Sequence, residues 1–586
     1  MRIKEQKVRI VLVVVVWLMM FSLRILNLDA DSPNYGIGYY QQIDEGPYSY
    51  LALHQMNYGC INPDIEIEDI NQYTSPHLRT NIIGNLFSII TFKLFGDNYY
   101  GMRMSSIFCM LINYILIFYI LMKLCSKYSK NVEKDRIIML VLFFILTLDF
   151  TFSLASRIVE TSIYRMMFVL LGIVIFLSVK DSWKRYILLG FVSVFSVFGI
   201  YITNLFFVLA CIGILFFESI FGDRKKQLRK WGGYAIGGGG ALVLCECYMQ
   251  LFWHTGIISN CLQIISNFSN VEGYVDTGAS GRIYYLANFF SNSFHLYNPF
   301  LLFFSACIFP MLVHICIKRK DQNIIFLVLI YIFFFIQTMV SEDFIIRKYI
   351  IVVPIQIFLL YIIGINMKYY IKELQKSTII FYFTYITACA IFTLSIFLYR
   401  FKLMPDSSTL DFTSIDKRIL FVFGLCSVLV GVAYLFSKLL DLGLPIPKYI
   451  KYLIICICLF GPSIYMNTNY IYTNLTYRDK EIMSELNNMN LEPKYIVGQY
   501  MESFCLYNDY IPVVNYQDEM KEMLLENKEL YYFDYSDNWS PGMTDYIENF
   551  LWTPNYHLVK YKEFERSIKT LGINRNVALY KVELIE

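Results

Sequence analysis

The sequence predicts a polytopic α-helical membrane protein that carries a small α/β domain at its C-terminal end. Of the 586 residues 56% are apolar, which is too large a share for a soluble chain of this length. Apolar runs of about 20 residues, the length that crosses the hydrocarbon core of a bilayer, recur between residues 8 and 470. Beyond residue 478 these runs stop, and short strand-like segments alternate with charged helical ones.

About thirteen segments have the length and hydropathy of a membrane span. They are 8–27, 100–124, 136–155, 161–179, 185–200, 203–221, 232–253, 296–318, 323–340, 347–365, 378–398, 418–438 and 450–470. The first segment follows a basic start but has no small-residue cleavage site, so it predicts a retained span and not a signal peptide.

The segment 78–96 is also apolar, but the positive charges argue against a further span there. If 78–96 does not cross, all the Lys- and Arg-rich stretches beside the spans fall on the cytoplasmic face. If it crosses, the first basic stretch, 2–9, opposes all the others. The segment is therefore predicted to be a juxtamembrane helix on the outer surface. The N-terminus is then cytoplasmic, the C-terminus is extracytoplasmic, and we expect a multi-pass protein of the plasma membrane.

We expect residues 1–470 to form the transmembrane catalytic domain and residues 471–586 an extracytoplasmic α/β domain. Residues 28–99 form the first outer loop, and the loop 254–295, rich in Gly, Ser and Asn, is a candidate mobile lid. The run GGYAIGGGG at 232–240 has no strand before it, so it predicts close helix packing and not a nucleotide site. In the tail, KYIVGQY and ELYYFDY predict strands, and RDKEIMSELNNM, QDEMKEMLLEN and TDYIENFLW predict helices.

The first outer loop contains an adjacent pair of acids, Asp44 and Glu45. Gly46 and Pro47 follow them and are typical of a helix start, which predicts that both acids lie at a helix N-terminus. One interpretation is helix capping. The other is a general base on one acid, with the second acid orienting an acceptor or a divalent cation. No other cofactor is indicated.

A second acidic position is the turn SRIVET after the third span. Arg157 and Glu160 either pair with each other, or Glu160 helps to hold an acceptor or supports the base. Asp149 lies deeper in the membrane, where ionisable residues are functional candidates, although it is also close enough in sequence to pair with Arg157.

Cations of the outer face are the third feature. Arg347 and Lys348, with Tyr349 beside them, begin a late span, and His77 and Arg79 flank the juxtamembrane helix. Arg binds a phosphate through two parallel hydrogen bonds and Lys binds it as a point charge, so these residues suit a lipid phosphate. The alternative is that they reach the lipid headgroups without a specific ligand.

Four stretches resemble the GT-C membrane glycosyltransferases, in the branch of the protein O-mannosyltransferases and the lipid A aminoarabinose transferase. They are Asp44-Glu45-Gly-Pro-Tyr48, FKLFG at 92–96 with Arg103, SRIVETSIYRMMF, and RKYIIVVP. The resemblance covers roughly residues 8–370. The sequence departs from the family in three places. Glu160 stands where the family has Asp, and Ser75-Pro76-His77 stands where it has His/Lys-Pro-Pro. Thr203-Asn204 replaces a Thr-Lys pair, which removes a cation.

The resemblance implies an inverting transfer of a sugar from a polyprenyl-phosphate donor to an acceptor on the outer face of the membrane. It implies a protein, lipid or cell-envelope glycan as acceptor, membrane lipid around the chain, and no nucleic acid. The expected residues are Asp44, Glu45 and Glu160 for catalysis, Arg347, Lys348, Tyr349, His77 and Arg79 for the donor phosphate, and Tyr48, Arg157, Asp149, Arg282 and His295 as further site members.

Two other functions fit a membrane protein of this kind. A lipid-linked sugar flippase or transporter often has two similar halves and polar residues at the membrane midplane, whereas this chain has no internal repeat and its polar residues gather at one face. A polysaccharide polymerase or ligase usually has its site in a large late loop, whereas the acid pair here is early.

Overall fold

The computed structural model describes the helical membrane part most fully and the C-terminal tail in part. The described residues are 18, 21–28, 41–58, 80–221, 223–253, 255–262, 312, 315–316, 318, 320–340, 345–373, 464, 467–468, 479–492, 495–497, 504–505, 510–513, 529–535, 556–565, 567–568, 573–574 and 577–584. Outside them, wholly or for the most part, lie the predicted spans 8–27, 296–318, 378–398, 418–438 and 450–470, the loop 254–295, and the predicted helices 517–527 and 544–552.

Between residues 41 and 373 the described chain is helical. The helices are α1 Gln41–Tyr58, α2 Ile82–Phe95, α3 Tyr99–Tyr128, α4 Val132–Leu148, α5 Phe150–Ala155, α6 Thr161–Ser178, α7 Trp183–Phe198, a 3-10 turn Ile202–Asn204, α8 Leu205–Phe221, α9 Arg224–Trp253, α10 Gln322–Val340 and α11 Ile345–Glu373. Within the described residues, four segments are long and apolar enough to cross a membrane: Tyr99–Tyr128, Thr161–Ser178, Ile202–Ile220 and Arg224–Trp253. The chain is therefore membrane-embedded.

Two sequence-based boundaries are wrong. Helix α1 begins at Gln41, before the two acids, so Gly46 and Pro47 lie inside the helix and do not start it. The predicted span 136–155 is divided into α4 and α5 at Asp149, whose Oδ1 accepts a hydrogen bond from the Phe152 amide at 3.2 Å. The Asp149 carboxylate therefore caps a short helix.

The predicted juxtamembrane segment 78–96 contains α2. Its 14 residues extend only about 21 Å, less than the roughly 30 Å of a bilayer core. Asn81 caps the helix, because its Oδ1 accepts from the Gly84 amide at 3.2 Å, and the Ile82 amide donates to the Gly199 carbonyl at 3.0 Å. The start of α2 thus lies against the end of α7.

The glycine run packs α9 closely against α7, as the sequence predicts. A Cβ added to Gly237 would lie 1.9 Å from the Ile187 carbonyl oxygen, and one added to Gly190 would lie 2.2 Å from the Tyr234 carbonyl oxygen. Side chains cannot replace these hydrogens without separating the two backbones.

A charge cluster joins the start of α7, the end of α8 and the first turns of α9. Glu218 accepts from Lys230 Nζ at 2.7 Å, from Arg185 at 3.3 Å and from the Tyr186 hydroxyl at 2.7 Å. Asp181 pairs with the same two cations, at 2.7 Å to Arg185 and 2.8 Å to Lys230. Glu218, Arg185 and Lys230 are buried, and Asp181 is 46% exposed. The two acidic and two basic side chains balance each other, which makes the burial of the first three tolerable.

The C-terminal tail contains helix α12 (Asp479–Asn488) and a five-stranded sheet. The strands are β1 Tyr495–Val497, β2 Ile511–Val513, β3 Glu529–Tyr535, β4 Tyr556–Phe564 and β7 Val577–Leu584, in the order β2-β1-β3-β7-β4. Strands β1, β2 and β3 run parallel, and β7 is antiparallel to β3 and β4. A separate pair joins β5 Ser567–Ile568 to β6 Ile573–Asn574. Strand β3 lies at the predicted ELYYFDY, but sequence analysis missed β4 and β7.

Candidate active site

The candidate site is organised around a buried ion pair between helix α1 and helix α3, the first long apolar helix that the structure describes. Arg103 Nε donates to Glu45 Oε1 at 3.0 Å, and its NH2 donates to Glu45 Oε2 at 2.9 Å. Both side chains are buried, at 4% and 3% exposure. Asn98 begins α3 by accepting from the Gly101 amide at 3.0 Å, and this start places Arg103 in the second turn of the helix. Such a two-pronged pair fixes both distance and orientation.

The turn SRIVET meets the same ion pair. The Val159 amide donates to Glu45 Oε1 at 3.2 Å, and Ser106 on α3 donates to the Ile158 carbonyl at 2.6 Å. Glu160, the next residue, is buried and is the N-cap residue of α6. Glu45 therefore connects α1, α3 and the turn that carries Glu160.

Arginines also hold the end of the first hydrophobic segment. Arg157 donates to the backbone carbonyls of Arg24, at 2.9 Å, and of Leu26 and Asn27. Arg24 in turn donates to the Tyr114 hydroxyl at 2.8 Å. Arg157 is thus used to anchor residues 24–27, a role that neither sequence-based interpretation of this residue included.

The other predicted residues divide into three groups. Tyr48 lies one turn after Glu45 and is buried at 4% exposure. The backbones of Asp44, Arg347, Lys348 and Tyr349 lie in the early turns of α1 and α11, and their side chains are outside the described atoms. Outside the described residues altogether are His77, Arg79, Arg282 and His295. The structure therefore brings Glu45 and Tyr48 of α1 to the turn that carries Arg157 and Glu160, whereas Asp149 caps α5.

Sequence analysis missed Arg165, which is fully buried one turn into α6. Its Nε donates to Asn204 Oδ1 at 3.2 Å, its NH2 donates to Gln337 Oε1 at 3.3 Å, and its guanidinium lies 5.3 Å from the centre of the Tyr201 ring. An ionisable residue within an apolar helix is the signal that could have found it. Asn204, which stands where the resemblance expects Lys, is thus hydrogen-bonded to a cation of the neighbouring helix.

Two further features concern charge at this end. Desolvation raises the pKa of Asp97, which lies between α2 and α3, above its ordinary value. Among the residues that the structure describes, no group of three His, Cys, Asp or Glu side chains is placed to hold a metal ion.

Residues 8–272 match the family model of dolichyl-phosphate-mannose-protein mannosyltransferase, as the sequence resemblance predicts. The fold is similar to that of ArnT from Cupriavidus metallidurans in the apo state, with a TM-score of 0.54 and 12% identity over 98% of both chains. The same protein bound to undecaprenyl phosphate matches with a TM-score of 0.47 and 12% identity over 97% of both chains. The apo oligosaccharyltransferase of Archaeoglobus fulgidus matches with a TM-score of 0.45 and 11% identity, over 89% of this chain and 69% of that one. No curated protein is significantly similar to this chain in sequence.

Proposed function

Because the chain resembles the GT-C membrane glycosyltransferases, we propose that it is an inverting glycosyltransferase. Its donor is a sugar on a polyprenyl phosphate, and it transfers this sugar to an acceptor on the outer face of the plasma membrane. The observation that carries the proposal is the match of residues 8–272 to a family described by a dolichyl-phosphate sugar donor. The acid-bearing helix α1, which is tied to the membrane helices inside that matched segment, supports it.

In this proposal Asp44 is the general base. Glu45 is held by Arg103 and by the Val159 amide, so the backbone of Asp44, the preceding residue of the same helix, is held as well. The Asp44 carboxylate takes the proton of the acceptor hydroxyl, and the freed oxygen forms its bond to the anomeric carbon. The bond from that carbon to the phosphate oxygen breaks in the same step, which inverts the centre, and the lipid phosphate leaves.

We assign Glu45 to positioning rather than to direct contact with the acceptor. Both of its oxygens accept hydrogen bonds from Arg103, and Oε1 also accepts from Val159. Glu160, one residue beyond Val159 and buried, supports the base or the acceptor from the turn.

The leaving phosphate needs positive charge as its bond to the sugar breaks. Arg347 and Lys348 suit this task, because α11 begins at Ile345 and a helix N-terminus itself favours an anion. Tyr349 adds a hydrogen-bond donor, and His77 and Arg79 are the secondary cations. Gln337 of α10, which contacts Arg165, lies shortly before this helix start in the chain.

The test is sugar transfer by the purified protein from a polyprenyl-phosphate mannose donor. Asp44→Asn should lower kcat by at least about 100-fold, because general base catalysis contributes that much, and should leave binding of the donor lipid unchanged. Glu133→Gln removes an exposed carboxylate of α4 and serves as the matched control. Asp44→Asn with wild-type turnover would overturn the proposal. A lipid flippase would instead move the donor lipid across the membrane of a vesicle, and Asp44→Asn would not slow that movement.

The sugar and the acceptor are determined separately. Mass spectrometry of envelope polymers, lipids and proteins from a deletion strain should show one class that lacks a sugar. Restoration by the wild-type gene and not by the Asp44→Asn gene would link the loss to this site.

A further inference from the structure

Helix α12 of the tail contacts the membrane part beside the candidate site. Lys480 Nζ lies 5.5 Å from the centre of the Tyr99 ring, and the Arg103 guanidinium lies 4.6 Å from the same centre. Tyr99 is buried and is the first residue of α3. A ring that faces two cations at these distances attracts both, so it joins the tail helix to the arginine that holds Glu45.

An apolar contact accompanies this link. Ile482, Met483 and Leu486 of α12 are fully buried. They belong to the same hydrophobic cluster as Tyr48 and Ala52 of α1. Glu45, Tyr48 and Ala52 are spaced by three and four residues, so they share one face of α1. The face that holds Glu45 is therefore continuous with the face that packs toward the tail.

Helix α12 is also attached to the sheet, whose residues Tyr531, Phe533 and Phe564 belong to the same hydrophobic cluster. The Tyr510 hydroxyl donates to the Leu486 carbonyl at 3.0 Å and accepts from the Leu491 amide at 2.8 Å. Lys562 of β4 pairs with Glu485 at 2.7 Å. Because α12 is fixed on the sheet, it presents a rigid surface to α1 and α3.

We propose that helix α12, through Lys480 on Tyr99, is a positioning element for the helix that carries Asp44. This assignment goes beyond the proposed function, which gives the tail no role, and it rests on that function only in taking Asp44 as the base. Lys480 acts through Tyr99 and Arg103 on Glu45, and it does not touch the reacting atoms. Loss of this link lets α1 open more often and misplaces the base.

Hydrogen–deuterium exchange tests the link without any substrate. Lys480→Met removes the charge and keeps the length of the side chain, and it should speed amide exchange in residues 41–58 by about fivefold, the expected effect of one cation–π contact. Tyr99→Leu should do the same, and Lys480→Arg should restore slow exchange. Lys560→Met is the matched control, because Lys560 is exposed and pairs only locally with Glu563 among the described residues.

Turnover is the second readout. Lys480→Met should lower kcat about fivefold with the KM of the donor within about twofold, since the donor cations are elsewhere, and Lys480→Arg should recover kcat. Unchanged exchange in 41–58, exchange raised equally across the whole chain, or faster exchange with unchanged kcat would each overturn the inference. Failure of the proposed function has a different signature: the wild-type protein transfers no sugar, while the exchange result still decides whether α12 positions α1.

Discussion

The buried pair of Glu45 and Arg103 makes the strongest energetic prediction of the fold. Arg103→Met removes two hydrogen bonds of 3.0 and 2.9 Å to the carboxylate and a third, of 2.7 Å, to the Leu28 carbonyl. Glu45 would keep its hydrogen bond from the Val159 amide. Its carboxylate, which is only 3% exposed, would lose its arginine partner. Breaking a buried pair in this way should lower the free energy of unfolding by about 3–5 kcal/mol.

A double-mutant cycle separates the pair from its surroundings. Glu45→Gln keeps an oxygen for the Val159 amide but leaves the arginine without its carboxylate. The double variant has no buried charge left at the pair, so it should be more stable than the sum of the single losses predicts. The coupling energy should reach about 2 kcal/mol, measured by reversible unfolding in mixed detergent micelles.

The exposed pair Lys560–Glu563 is the control for this cycle. Its atoms also approach to 3.0 Å, but the side chains are 47% and 41% exposed. Water screens such a pair, so Lys560→Met should cost less than about 1 kcal/mol. If Arg103→Met costs no more than Lys560→Met, or if the two site variants are additive, then the ion pair does not hold α1. The pair would then not be what positions Asp44.

Three further predictions concern other parts of the molecule. Glu218→Gln should lower the free energy of unfolding by about 3–5 kcal/mol in the same assay, because Glu218 is buried between two cations. Lys127→Met, in a half-exposed pair, should lower it by less than about 1 kcal/mol. Equal losses for the two variants would contradict this prediction. Gly237→Leu should force α7 and α9 apart and abolish folded protein in size-exclusion chromatography, whereas Gly239→Leu, where an added Cβ meets no described atom within 4 Å, should be tolerated. Because the pKa of Asp97 is raised, the folded state binds this proton more readily than the unfolded state does. Protonation of Asp97 therefore stabilises the fold at low pH, and this stabilisation is lost as the pH rises through the pKa of the folded state. Asp97→Asn should therefore raise Tm near neutral pH but not in acid, and a pH-independent shift would refute the assignment.

The membrane helices were the most predictable part of the fold. Helices α3, α6 and α9 coincide with apolar runs, because the bilayer requires such runs whatever the tertiary contacts are. The break at Asp149 was not predicted, since the apolar pattern continues through it and only one side chain forms the cap. Strands β4 and β7 carried an alternating pattern in YHLVKYKEF and VALYKVEL, so their signal was present in the sequence.

Sequence analysis could name candidate residues for the site but not the contacts that they make. Asp44 and Glu45 stand out locally, yet the partner of Glu45 is 58 positions away, and no local pattern indicates that distance. Gly46 and Pro47 favour a helix start, but α1 begins at Gln41 because tertiary contacts outweigh this local preference. Arg165 was missed for a related reason: its amide partners on other elements become neighbours only in the fold.

The proposed function gives the adjacent acids of α1 separate roles, which a single assay cannot distinguish. Two neighbouring carboxylates repel each other, and a cation beside one of them relieves that repulsion. Arg103 supplies this cation for Glu45 in a buried position, so Glu45 contributes to stability as well as to placement. Asp44→Asn should therefore reduce turnover with little change in unfolding free energy, whereas Glu45→Gln should reduce both together. If Glu45→Gln reduces turnover alone, its carboxylate acts on the acceptor, and the division of roles within the pair is wrong.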